Sequence, residues 1–155
     1  MTASAADRDF DTRVVIAAPP SDVWNLLVDP ATMPQASPEV FAVTRRRGPL
    51  RPGETFIGWN RNGLAVWPTV NTVTTLDPGR RLAWHTRTSG AIWTYTLTES
   101  AGSTVLREQR SVPDGVPRTA TIFARVFLGG MAKHADELEE HTSQTLDWIK
   151  RRLES

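Results

Sequence analysis

The sequence predicts an α+β domain in which a sheet wraps around one late helix. Three observations carry that expectation. A short helix signal follows directly on an apolar, strand-like run near the N-terminus. Strand-like segments separated by turn residues then follow one another without a further helix. The chain closes on a single amphipathic helix, about Thr119 to Leu153. A sheet wrapped around a helix can enclose a cavity, so small-molecule binding is the leading functional expectation.

The elements follow in chain order. Residues 1–8 read as a loose tail and residues 9–155 as one domain, with no internal repeat, linker or shift in composition. Phe10, Thr12, Val14 and Ile16 alternate with Asp11, Arg13 and Val15, the pattern of a first strand. Pro19 and Pro20 end it and suit the first turn of a helix, where a missing N–H costs nothing. Asp22 favours the positive end of that helix; Val23, Trp24, Leu26 and Leu27 form its apolar stripe, and Asp29-Pro30 stops it. Ala31 to Ala36 adds one further helical turn.

Six strands are then expected, at Val40–Arg46, Glu54–Arg61, Ala65–Leu76, Arg81–Arg87, Ala91–Thr98 and Ser103–Val112. Asn62-Gly63 is a hairpin signal, and Pro52-Gly53, Asp77-Pro78-Gly79, Ser89-Gly90 and Ala101-Gly102 mark the other turns. Pro68 inside the fourth strand predicts an edge position or a bulge, because proline has no N–H for the ladder. Alternation is cleanest in the sixth strand, with Trp93, Tyr95 and Leu97 on one face. The late helix keeps one face through Phe123, Phe127, Met131, Ala135, Leu138, Thr142, Thr145, Ile149 and Leu153. Gly129-Gly130 interrupts it and predicts a kink or a close contact near a cavity mouth.

Composition excludes several classes. With 18 basic and 17 acidic residues the formal net charge is +1, which argues against a nucleic-acid binder. The absence of cysteine excludes disulfides, thiolate catalysis and zinc-thiolate sites. Met1 to Asp11 reads as neither signal peptide nor anchor, and no run approaches the ~18 apolar residues of a membrane span; a cytoplasmic protein without stable membrane insertion is expected. Six tryptophans need a sizeable interior, as core or as pocket wall.

Four segments together resemble one family. They are Ala18-Pro19-Pro20-Ser21-Asp22-Val23-Trp24 with Asp29, Gly53-Glu54-Thr55-Phe56-Ile57-Gly58-Trp59-Asn60, Trp93-Thr94-Tyr95-Thr96-Leu97 and Gly102-Ser103-Thr104-Val105-Leu106-Arg107-Glu108. Their order and spacing over residues 9 to 153 resemble the START-like superfamily, specifically its polyketide cyclase/dehydrase and lipid-transport (SRPBCC) group. The resemblance implies a helix-grip fold, a curved seven-stranded antiparallel sheet around the C-terminal helix with two short helices after strand one. It implies a small hydrophobic or amphipathic ligand such as a lipid, polyketide or aromatic metabolite. It also leaves open a cyclase or dehydratase, and a protein-interaction module of the chaperone-activator type.

Alternation and the family register give the expected lining. Phe56, Gly58 and Asn60 come from strand three, Trp67, Thr69, Asn71 and Val73 from strand four, and Leu82 and Trp84 from strand five. Trp93 and Tyr95 come from strand six; strand seven is ambiguous by pattern alone, and the resemblance's register implies Thr104, Leu106 and Glu108 there. Phe123, Phe127, Met131 and His134 close the cavity from the helix, and Met33 stands at its entrance. The aromatics serve equally as plain core. The amides of Asn60 and Asn71 need partners when buried, from a ligand or from backbone. Glu108 is the candidate acid or base if it faces an apolar interior, which would raise its pKa. The alternatives for Glu108 are an ion pair with Arg107, Arg110 or Arg61, or a one-residue register shift into solvent. Tyr95 would donate to a ligand carbonyl in a cyclase or dehydratase, or to strand backbone otherwise. His85 is expected to face outward. Glu137 and His141 share a helix face without a third ligand, so neither metal nor cofactor is expected. Arg45-Arg46-Arg47 reads as a solvated strand end. A homodimer is left open.

Overall fold

A computed structural model describes residues 9–113 and 131–155, with the backbone alone at 131–136 and 138. Seven strands form one antiparallel sheet in the order β1-β7-β6-β5-β4-β3-β2, curled into a half-barrel. The strands are β1 (Phe10–Ile16), β2 (Val40–Thr44), β3 (Thr55–Asn62), β4 (Ala65–Asp77), β5 (Arg81–Thr86), β6 (Ala91–Ser100) and β7 (Ser103–Ser111). Two short helices, α1 (Pro20–Val28) and α2 (Thr32–Ala36), carry the chain from β1 to the opposite edge strand, β2. From there the sheet is a plain meander that returns β7 to the side of β1. The last helix, α3, is described from Met131 to Glu154 and packs against β1, β7 and both short helices. This is the expected helix-grip arrangement.

Local chemistry explains the boundaries. Pro20 opens α1, Asp22 lies in its first turn, and the chain leaves helical geometry at Asp29, ahead of Pro30. The β3–β4 loop is Gly63-Leu64, with Gly63 at φ 60° in the first central position, as a type II′ turn requires. In the β6–β7 turn, Ala101 and Gly102 both have positive φ, 50° and 82°, and Ser100 pairs with Ser103 across them. Pro68 stands opposite Trp59 of β3, while β5 joins β4 only from Asn71 onward. Around Pro68 the strand therefore has a neighbour on one side, which is the locally edge-like environment that proline tolerates. The β4 bulge falls later, between Val73 and Thr75, and a second one interrupts β2 between Val40 and Ala42. Bulges bend the strands that carry them, consistent with the curl of the sheet.

The core gathers residues from the sheet, α1 and α3. Ile16, Val23, Leu106, Leu146 and Ile149 are all 0–1% exposed and cluster with Leu27, Val73, Leu82, Tyr95 and Leu97. On α3 the buried positions Thr142, Thr145 and Ile149 follow the predicted helical face, and Leu146 joins them. The end of α3 is tied to β1: Lys150 Nζ donates to Val15 O at 2.6 Å, and Ala17 N donates to Glu154 at 3.2 Å.

The arginine run after β2 differs from its expected solvated state. Arg45 donates through two nitrogens to Glu54, at 2.8 and 3.1 Å, and Glu54 also accepts from Arg51 N at 3.2 Å. Only 4% of the Glu54 side chain is exposed. Burial pushes its carboxyl up, and Arg45, the Arg51 amide and Arg46 together more than offset that, holding it below its usual value. Glu54 lies just before β3, so a sequence reading of β2 alone does not reveal the pairing.

Candidate functional site

The sheet, the α1–α2 segment and α3 enclose a cavity of about 510 Å³ next to the core, with which it shares Leu27, Leu82 and Tyr95. That is within the size range of small-molecule sites. The alternation of β3 to β7 delivers the wall: Phe56, Gly58, Asn60, Trp67, Thr69, Asn71, Trp84, Trp93, Tyr95 and Glu108 all line it. Leu82 and Met33 line it as well. Leu106 does not. It is fully buried in the core cluster, opposite Val14 and Leu97, and it belongs to packing rather than to the cavity wall. Val73 and Thr104 are likewise buried outside the wall; Thr104 donates to Ala18 O at 2.7 Å. Phe123, Phe127 and Gly129-Gly130 lie outside the described residues, as do the side chains of Met131 and His134.

An aromatic row forms one side of the wall. Trp84 meets Phe56 edge to face at 5.7 Å between centroids and lies against Tyr95 at 5.4 Å. Beside it runs a polar seam. Thr69 is opposite Gly58, and its Oγ1 donates to Gly58 O at 3.2 Å. The same Oγ1 accepts from Asn60 Nδ2 at 3.4 Å and from Asn71 Nδ2 at 3.3 Å. Asn71 Oδ1 in turn accepts from Thr86 Oγ1 at 2.7 Å. Backbone carbonyls supply the remaining amide partners, Gly58 O and Trp67 O for Asn60, and Thr69 O and Phe56 O for Asn71. Both amides are thus held by the sheet itself and are fixed features of the wall.

Gly58 permits this seam. A Cβ at that position would lie 2.8 Å from Thr69 Oγ1. Gly58→Ala is expected to displace the Thr69 hydroxyl and cost about 1–3 kcal/mol by urea denaturation. Alanine otherwise favours a strand over glycine by roughly 0.5–1 kcal/mol, so a neutral or stabilising result would contradict the crowding.

The ionisable part of the wall comes from β7, whose buried residues alternate as Thr104, Leu106, Glu108 and Arg110. Tyr95 Oη donates to Glu108 Oε1 at 2.6 Å, and both residues are buried. Glu108 Oε2 is buried without a hydrogen-bond partner among the described residues. Burial pushes the Glu108 carboxyl up to about 8, against the opposing effect of the Tyr95 hydrogen bond. Burial also pushes the Tyr95 phenol well above its usual value, and the neighbouring Glu108 adds to that. With Tyr95 donating to Oε1, the proton of neutral Glu108 belongs on Oε2. The three arginines considered as ion-pair partners are placed elsewhere. Arg107 pairs with Asp11 on the outer face, Arg61 stacks over Phe41, and Arg110 shares the inner face without an ion pair to Glu108.

Two wall features have no counterpart in the sequence reading. Arg110 is 3% exposed, with its guanidinium 5.1 Å from the Phe10 ring centroid and 5.8 Å from that of Trp93. The β7 alternation that places Glu108 inward also places Arg110 inward, so the signal was present. His141 of α3 meets Glu39 near the start of β2, Nδ1 to Oε2 at 3.2 Å, and that carboxylate holds its pKa above the usual value. No local pattern links two residues so distant in sequence. Glu137, the other helix residue considered for an ion, accepts from Asn62 Nδ2 at 2.7 Å. Among the described residues no group of three metal-ligating side chains occurs, and no helix is long and apolar enough to cross a membrane.

Comparison with known proteins agrees with this architecture. A family model described as polyketide cyclase / dehydrase and lipid transport matches residues 7–142. No curated protein matches the chain. Among solved structures, the polyketide-cyclase-like protein Cgl2372 from Corynebacterium glutamicum is similar, at 25% identity and TM-score 0.67, over 99% of this chain and 94% of that one. The di-domain ARO/CYC StfQ from the steffimycin biosynthetic pathway is similar at 15% identity and TM-score 0.71, over 94% of this chain. The chain spans half the length of that protein, 50%. The Aha1 dimer from Colwellia psychrerythraea shares the fold at 15% identity and TM-score 0.64, over 94% of this chain and 96% of that one.

Proposed function

Because the chain belongs to the polyketide cyclase / dehydrase and lipid transport family, we propose that it binds one small amphipathic molecule in the cavity beneath α3. The cavity itself carries this reading: about 510 Å³ of space, walled by aromatic rings and interrupted by a few buried polar groups. Apolar contact would supply the affinity. A ligand burying ~300 Å² of apolar surface gains roughly 7 kcal/mol gross, before the costs of association. Glu108, Tyr95, Asn60 and Asn71 would set its orientation. Native mass spectrometry of the purified chain tests this. The expected result is a population carrying one small molecule, or one that takes up N-phenyl-1-naphthylamine in a one-to-one complex. A bare chain that takes up none would sink the reading.

The Glu108–Tyr95 pair favours a second reading, acid–base chemistry on a bound carbonyl compound. A buried carboxyl titrating near 8 is largely protonated at neutral pH and suits a general acid. Glu108 would give its Oε2 proton to the substrate carbonyl oxygen, and the carboxylate so formed would take the proton from the neighbouring carbon, leaving the enol and restoring neutral Glu108. Tyr95, already donating to Oε1, positions the carboxyl instead of polarising the substrate. This changes the role expected for Tyr95 from sequence. Loss of turnover in Glu108→Gln on a matched β-keto substrate would support this chemistry, and unchanged turnover would remove it.

A further inference from the structure

The Glu108 carboxyl is held from one side only. It is 3% exposed and lines the cavity. Its Oε1 accepts the Tyr95 hydroxyl at 2.6 Å, while its Oε2 is buried with no hydrogen-bond partner among the described residues. Other polar groups of the wall are engaged by the fold: the Asn60 and Asn71 amides donate to the sheet, Arg45 pairs with Glu54, and His141 meets Glu39. A buried carboxylate with one donor and no bonded cation is costly, so these surroundings favour the neutral acid. With Tyr95 on Oε1, that acid carries its proton on Oε2. The wall therefore holds an O–H donor with nothing in the protein to receive it. Such a group costs more unmade than an ordinary hydrogen bond returns, which makes an acceptor on the guest worth having. Aromatic surface adjoins the carboxyl, since Trp84 lies against Tyr95 at 5.4 Å between ring centroids and meets Phe56 edge to face.

We infer that the guest is an uncharged carbonyl compound, whose oxygen accepts the Oε2 proton of Glu108 in a hydrogen bond while its apolar body lies against Trp84 and Phe56. This rests on the cavity-binding reading and specifies the guest; it needs no proton transfer. Burial supports it by keeping the carboxyl, at about 8, mostly protonated at neutral pH. A charged head group would give up its hydration and find no counter-ion in neutral Glu108.

Naphthalenes that share one skeleton test the head group. Calorimetric titration of 2-acetylnaphthalene and of its hydrocarbon isostere, 2-isopropenylnaphthalene, into the full chain gives a ratio of affinities. Comparing that ratio between variants cancels the different hydration of the two probes. The ratio is expected to hold in Tyr95→Phe and in Glu108→Gln, whose amide N–H still donates. It is expected to fall about fivefold, the size of one hydrogen bond, in the double variant Tyr95→Phe with Glu108→Leu, which strands no hydroxyl. If the double variant does not fold, the infrared carbonyl band of the ketone bound to Tyr95→Phe decides. A band below its position in hexane is expected, and a band at the hexane position would remove the hydrogen bond. The charged analogues 2-naphthoate and 2-naphthylmethylammonium are expected to bind the wild type more weakly than the ketone at neutral pH. An unchanged ratio in the folded double variant, a ratio lost in Tyr95→Phe or Glu108→Gln, or tighter binding of either charged analogue would overturn the assignment and leave the cavity reading in place. Binding of none of these probes would remove both.

Discussion

Replacing Glu108 with glutamine is expected to flatten a decline in stability that the wild-type chain shows as pH rises. The folded chain holds this carboxyl at about 8, against 4.5 for an ordinary glutamate, chiefly because burial disfavours the charged form. Over that interval the folded state keeps a proton that the unfolded state has lost. The contribution of Glu108 is therefore fully present below the unfolded value and is lost as pH climbs through the folded one. The slope is about 1.4 kcal/mol per pH unit. Glutamine still accepts the Tyr95 hydroxyl but does not ionise. His141 is also held above its usual 6.5, through its bond to Glu39, and so adds a loss of the same sign. The quantity to read is thus the difference between wild type and variant in urea midpoints from pH 5 to 9. A variant that gains on the wild type with rising pH is expected; parallel profiles would show that Glu108 is not buried as described.

Leu106→Ala is expected to cost about 3 kcal/mol and to leave cavity binding unchanged. Leu106 is 0% exposed in the core cluster with Ile16, Val23 and Leu97, and it is absent from the cavity wall. Truncating it removes packing from the core cluster. Urea denaturation gives the first quantity, and N-phenyl-1-naphthylamine titration the second. A loss below ~1 kcal/mol, or a weakened probe, would return Leu106 to the cavity, where the family register put it.

The contrast between Leu106 and Glu108 shows what alternation does and does not tell. Period two assigns a face, and both residues are on the inner one. It does not tell which stretch of that face meets core and which meets empty space: Leu106 falls in the core cluster and Glu108 in the cavity wall. Strand positions were legible because turn residues punctuate them, as at Gly63 and Ala101-Gly102. The Pro68 environment was legible only in part: the strand is edge-like there, yet its bulge follows Val73, where no residue type announces it. The amides of Asn60 and Asn71 were legible as inward groups. The hub that holds them, Thr69, depends on the β3–β4 register and on the missing Cβ of Gly58. Pairings such as Glu54 with Arg45 and His141 with Glu39 join segments through the fold, and no local pattern encodes them.

The central claim, a cavity open to a small amphipathic guest, is tested most directly at the tryptophan indoles. Trp67, Trp84 and Trp93 line the cavity. Trp59 donates its indole N–H to Thr44 Oγ1 at 3.0 Å, while Trp24 and Trp148 pack against the core. In a ¹H–¹⁵N spectrum of the labelled chain titrated with N-phenyl-1-naphthylamine, the Nε1–H signals of Trp67, Trp84 and Trp93 are expected to move together and saturate, with those of Trp24, Trp59 and Trp148 fixed. No saturable movement, or movement confined to the second set, would contradict the account.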